Sequence, residues 1–180
     1  MLHSIFTLIV DTVAGLLGGI LLLRFWMQVV RVRPPNALGQ FIYKLTDWLV
    51  KPLRRLLPGV GGYDWASLIG AILVIVASIA INLLSAYAFS AEFLVLLSLL
   101  RLFEWVLYGF MGLIIIEAIF SWVNPHAPLA PFIAALNEPL MRPLRRIIPL
   151  IGGIDLSPLV ALILLQIALR LVTAFVTSIA

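Results

Sequence analysis

The sequence predicts an all-α membrane protein: four transmembrane helices forming a parallel tandem repeat of helix, amphipathic cytoplasmic loop and helix. Three observations carry this. The 180 residues are 63% hydrophobic and only 11% charged, where a soluble domain carries about a quarter charged residues. Four apolar stretches each reach the roughly 20 residues that a helix needs to cross a bilayer. A basic, proline-broken phrase is also written twice. "KPLRRLLPGVGGYD", Lys51 to Asp64, returns 91 residues later as "RPLRRIIPLIGGID", Arg142 to Asp155, with eight of fourteen positions identical.

The first span runs from about Asp11 to Val30, with apolar residues also before it. No Lys or Arg precedes this run, and it is too long for the core of a signal peptide, so it reads as a span. In the loop that follows, Leu38, Phe41, Ile42, Leu45, Trp48 and Leu49 recur at helical spacing, with Gln40, Lys44 and Asp47 off that face. Such a helix is expected to lie in the membrane interface with its apolar face among the acyl chains. Pro52 should end or kink it. Arg54 and Arg55 then sit at headgroup level, Gly61-Gly62 supplies a tight turn, and Asp64 stands where an N-cap belongs. The second span follows, about Trp65 to Tyr87.

After a short link, Ala88 to Glu92, the third span covers about Leu102 to Val123. The second loop keeps a weaker apolar face in Phe132, Ile133, Leu136 and Leu140, with Asn137 and Glu138 opposite. Pro143, Arg145-Arg146, Gly152-Gly153 and Asp155 repeat the device. The fourth span is about Leu156 to Val176, and Pro158 in its first turn costs little because no N–H is needed there.

Charge sets the orientation. Arg31, Arg33, Lys44, Lys51, Arg54 and Arg55 lie between spans one and two, and Arg142, Arg145 and Arg146 between spans three and four. The middle link has no basic residue, so both loops are expected in the cytoplasm and both termini outside. Residues 1–91 and 92–180 are then two units of the same orientation, related by an axis along the membrane normal.

Polar side chains inside spans are costly and mark candidate sites. At an offset of 93, Arg24 aligns with Glu117. Arg24, Gln28 and Arg31 form one polar stripe, and Glu117, Ser121 and Asn124 another. Packing of spans one and three would turn the stripes together as an Arg24–Glu117 pair; alternatively Arg24 snorkels and Glu117 pairs locally. Arg101 and Glu104 are neighbours at i, i+3. Asn82 and Gln166 are expected to bond across helices, and Gly15 and Gly19 make a G-x-x-x-G packing signal.

Several classes fall away. The chain has no cysteine and two scattered histidines, His3 and His126, so thiolate chemistry is excluded and neither a metal site nor a cofactor is expected. No hydrolase, zincin, P-loop or dinucleotide motif occurs, so no catalytic residue is assigned. The net charge of +4 sits beside apolar spans, which points to topology or anionic lipid rather than nucleic acid. The basic residues Lys51, Arg54, Arg55, Arg142, Arg145 and Arg146 are therefore either loop anchors or a specific site for a lipid headgroup, another anion or a protein partner.

The stretch "EPLMRPLRRIIPLIGGIDLSPLVALILLQ", Glu138 to Gln166, resembles the signature of the YggT family of small bacterial membrane proteins, related to YlmG and to chloroplast proteins. "LLLRFWMQVV" with "KPLRRLLPGVGGYDWASL" resembles the other copy of that motif. The first copy departs from the fuller pattern, with Asp47-Trp48 for Glu138-Pro139 and Ala66-Ser67 for Ser157-Pro158. The resemblance implies a non-enzymatic protein of the bacterial inner membrane. Family members are linked to osmotic or envelope stress, division phenotypes and, in chloroplasts, haem attachment to a cytochrome. The expected role is thus an accessory or assembly protein touching anionic lipid headgroups or an unnamed membrane protein partner. The alternative is a small channel or transporter; a homo-oligomer stays open in either case.

Overall fold

The computed structural model describes residues 2–57, 59, 61–85, 90–149 and 155–179. Among them are six helices and no strand: α1 (Leu2–Val29), α2 (Asn36–Leu56), α3 (Trp65–Ser85), α4 (Ala91–Val123), α5 (Ala130–Ile147) and α6 (Ser157–Ile179). Helices α1, α3, α4 and α6 are long and apolar enough to cross a membrane. Helices α2 and α5 are the two basic loop segments, each with one strongly apolar side and one polar side.

Two spans are longer than expected. α1 has 28 residues and α4 has 33, about 42 and 50 Å at 1.5 Å per residue. Neither Gly nor Pro interrupts Ala91 to Leu107, so the helix continues through Arg101, which pairs with Glu104 at 3.7 Å. α2 also runs past Pro52 to Leu56, and α5 holds Pro139 and Pro143 within it. The backbone bond lost at each proline is offset by packing on both sides. Leu49 and Leu53, which flank Pro52, both lie against the core formed by Leu21, Val50, Ala66 and Ala71.

The end of α1 explains how the chain turns back. The Arg31 N–H donates to the Gln28 carbonyl at 3.1 Å, and the Val32 N–H to the Met27 carbonyl at 2.9 Å. This is a Schellman closure, with Arg31 at φ 60° in the place glycine usually takes. Val32 then packs against the apolar cluster that contains Met27. Gly61 and Gly62, at φ 71° and 80°, make the turn into α3. The matching Gly152-Gly153 lies outside the described residues.

Three apolar clusters hold the bundle. The central one joins Met27 of α1, Ile42 of α2 and Phe132, Ile133 and Leu136 of α5, with Leu113 and Phe120 of α4 packed against it. The Trp26 Nε1–H donates to the Leu136 carbonyl across this seam at 2.9 Å. Two flanking clusters have corresponding members. Leu21, Val50 and Val74 fill one; Ile114, Met141 and Leu165, at offsets of 93, 91 and 91, fill the other.

The predicted apolar face of α2 is split. Ile42 is buried and Leu38 and Leu49 pack on the core, whereas Phe41, Leu45 and Trp48 stay exposed. Between α1 and α4 the close contact is at Gly18, where any Cβ would run into the Trp105 ring; Gly19 of the predicted packing pair faces open space.

Candidate functional site

The candidate site is a pair of ion clusters at the end of the bundle that carries α2 and α5. In the first, Arg24 of α1 is 3% exposed and reaches three partners. Its Nη1 donates to Thr46 Oγ1 at 2.6 Å and to Asp47 Oδ1 at 2.7 Å, and its Nε stands 3.3 Å from Asp64 Oδ2. The guanidinium also lies over the Tyr43 ring at 4.8 Å, a favourable place for a cation. Asp64, directly before α3, is the hub. Arg54 grips it with Nε and Nη2 at 3.0 and 2.6 Å, Ser67 Oγ donates at 2.6 Å, and Gln28 Nε2 at 3.4 Å. Lys51 closes the outer side on Asp47 at 3.0 Å.

The second cluster has the opposite charge plan. Arg145 is the hub: its Nη2 donates to Glu117 Oε1 at 2.8 Å and its Nε to Asp155 Oδ2 at 3.0 Å, while Nη1 stands 3.9 Å from Glu138 Oε2. The buried Asn137 gives its Nδ2–H to Glu117 Oε2 at 2.7 Å. Asp155 Oδ1 accepts the Ser157 N–H at 2.9 Å and so caps α6. Asp64 meets the cap expectation differently, since its backbone carbonyl accepts the N–H groups of Ser67 and Leu68 at 3.0 and 3.4 Å.

The electrostatics follow from these contacts. Burial works against the Asp64 carboxylate, but hydrogen bonds from Arg54 and Ser67 outweigh it and hold its pKa below the ordinary value. Asp47 is lowered against its own burial by Arg24 and Lys51, and Asp155 by Ser157 and Arg145. Burial opposes the charge of Arg145, yet Glu117 and Asp155 raise its pKa. Asp64 likewise raises that of Arg54. Asp47, Asp64 and Asp155 are therefore held in their charged form at neutral pH, as are Arg54 and Arg145. The first sets three cations against two carboxylates, and the second one cation against three.

Several expectations change here. Arg24 and Glu117 do not pair: Arg24 is engaged by Asp47 of α2 and by Asp64 just before α3, and Glu117 by Arg145 of α5. The polar stripes do not meet either. Gln28 joins the Asp64 hub, Arg31 has left the helix, and Ser121 and Asn124 are exposed. The twin arginines of each phrase separate by role. Arg54 and Arg145 are locked into the clusters, while Arg55 and Arg146 are exposed without a side-chain partner among the described residues, as is Arg142. Asn82 does bond across helices, giving its Nδ2–H to Asp11 Oδ1 at 2.9 Å, whereas Gln166 is exposed.

Sequence reasoning missed Thr46, Asp47 and Asn137 as partners. The signal was available: Thr46 and Asn137 stand 91 apart, as do Asp47 and Glu138. Where the span residue changes from cation to anion, its helper changes from a hydroxyl acceptor to an amide donor.

A family model described as CCB3/YggT matches the chain over residues 3–85 and again over 96–176. A protein of Vibrio alginolyticus, titled "Uncharacterized protein in proC 3'region", is 39% identical over 171 residues, which cover 89% of each chain. The uncharacterized protein PA0392 of Pseudomonas aeruginosa is 39% identical over 88% of this chain and 83% of its own. The uncharacterized protein YggT of Escherichia coli K12 is 34% identical over 89% of this chain and 85% of its own. No solved structure matches.

Proposed function

The chain belongs to the CCB3/YggT family, and from that premise we propose a non-enzymatic accessory or assembly protein of the bacterial inner membrane. It acts through lipid or protein contacts and serves envelope or osmotic stress tolerance. In this reading residues 1–91 and 92–180 are parallel repeats, both termini face outward, and α2 and α5 lie at the cytoplasmic headgroups.

One observation carries the reading: the division of labour within each arginine pair. A charge that only anchored its loop would need no fixed partner. Arg54 and Arg145 have partners that tie α2 to Asp64 before α3, and α5 to Glu117 of α4 and Asp155 before α6. Arg55 and Arg146 are thereby presented outward. On α2 they are joined by the exposed Lys44 and Lys51 beside the exposed Phe41 and Trp48. Each cation at an anionic surface gains about 1 kcal/mol.

A small channel or transporter is the alternative. Against a path through one protomer, Leu21 and Ile114, one turn beyond Arg24 and Glu117, are fully buried among apolar neighbours.

Photo-crosslinkers at positions 55 and 146 in native membranes test the proposal. It expects anionic lipid or a discrete membrane protein on the crosslinker. No adduct, together with ion flux through the purified protein in liposomes, contradicts it.

A further inference from the structure

An apolar crevice of about 250 Å³ lies between α1, α3 and α4, lined by Gly19, Trp26, Leu68, Trp105, Gly109 and Phe110 among others. It is open because two glycines line it. A Cβ at Gly19 or Gly109 would meet nothing within 4 Å, and both residues are exposed. The crevice therefore opens sideways into whatever surrounds the bundle. Along α1 it begins at Gly19, ten residues before the helix ends at Val29. That is about 15 Å, or half of a roughly 30 Å hydrocarbon core.

Just past that end stand Arg31 and Arg33, both exposed and without a side-chain partner among the described residues. Arg31 is the one non-glycine residue at positive φ among the described residues. Glycine fits that closure at less cost, and backbone strain of this kind is a pointer to function.

We propose that the crevice and these arginines form a binding site for one anionic phospholipid of the cytoplasmic leaflet. One acyl chain lies along Gly19 and Gly109 between Trp26 and Trp105, and the phosphate meets Arg31 and Arg33. This rests on the reading of the α2 and α5 end as cytoplasmic, and it adds a site distinct from Arg55 and Arg146.

The test uses the full chain with Trp48, Trp65 and Trp122 changed to Phe, which leaves the two crevice tryptophans of the five present. It is reconstituted in phosphatidylcholine vesicles doped with phosphatidylglycerol or phosphatidylcholine carrying brominated chains. The brominated phosphatidylglycerol should quench at about one-thirtieth the concentration, the equivalent of about 2 kcal/mol from the two arginines. Gly109→Leu, and independently Gly19→Leu, should remove the quenching. Arg31→Gly, which suits the turn, combined with Arg33→Gln should keep the quenching and lose the preference. Equal quenching by the two lipids overturns the proposal, as does quenching that survives both leucine variants. No quenching by either lipid also overturns it. Both leaflets carry the same lipids, so insertion direction does not affect the result. A wrong orientation shows instead when Lys44→Cys is labelled from the periplasm.

Discussion

Thr46 and Asn137 stand 91 residues apart and do opposite work. Thr46 Oγ1 accepts a hydrogen bond from Arg24 at 2.6 Å, and Asn137 Nδ2 donates one to Glu117 at 2.7 Å. Thr46→Val and Asn137→Leu should each cost about 1.5–3 kcal/mol, the range for a buried bond to a charged group. Asn137→Asp should cost more at neutral pH, because it sets a carboxylate against Glu117 with no donor between them. Chemical unfolding in detergent would rank the three, and an Asn137→Asp variant as stable as Asn137→Leu would count against the assignment.

Asp64 and Asp47 both meet Arg24, but they differ in exposure. The Asp64 side chain is 1% exposed and that of Asp47 is 28% exposed. Asp64→Asn leaves two arginines short of their shared anion and should cost about 3–5 kcal/mol, as for a broken buried pair. Asp47→Asn should cost about 1 kcal/mol or less, near the surface-pair range. A double-mutant cycle between Arg24 and Asp64 should show coupling. One between Arg24 and Glu117, which share no partner, should be additive within about 0.5 kcal/mol.

The same contacts set the acid limit. Asp47, Asp64 and Asp155 have folded-state pKa values below the ordinary carboxylate value. As pH falls, the unfolded chain takes up protons first, so their contribution is full above the unfolded value near 4 and is lost below it. The melting temperature should be flat from about pH 8 to pH 5 and drop below about pH 4. Asp64→Asn should flatten that drop. A melting temperature that rises on acidification would contradict the ionised clusters.

Much of this was legible in the sequence, for stated reasons. Four helices long and apolar enough to cross a membrane follow from hydropathy, and the two basic phrases follow from repetition. The partners of Arg24 and Glu117 do not. Equal depth in two spans suggested that they meet, but depth says nothing about which face each span turns. The competing partners sit on α2, on α5 and, for Asp64, just before α3, and how these pack against α1 and α4 is a tertiary fact. The split face of α2 escaped for the same reason: Leu38, Phe41 and Ile42 share one apolar stripe, and the packing of the neighbouring helices decides which of them is covered.

Gly18 is a packing position that the G-x-x-x-G pattern misplaced by one residue. Gly18→Val should destabilise the α1–α4 contact by about 1–3 kcal/mol, the usual cost of overpacking. Trp105→Ala in the same chain should recover part of the loss, because the ring of Trp105 is what the new side chain meets. Gly19→Ala, with open space at its Cβ, should be near neutral. Equal losses at positions 18 and 19 would contradict the packing.

The most direct measurement compares two double variants of the full chain, each first shown to insert correctly. Arg54→Gln with Arg145→Gln removes the locked arginines; Arg55→Gln with Arg146→Gln removes the outward ones. Thermal stability in detergent and the enrichment of anionic over zwitterionic lipid in the purified protein are read for both. The account predicts that the first pair loses stability, while the second keeps wild-type stability and loses the enrichment due to the loop helices. If the second pair keeps its enrichment and its stress tolerance, or if both pairs lose stability equally, the division of labour between the arginines is wrong.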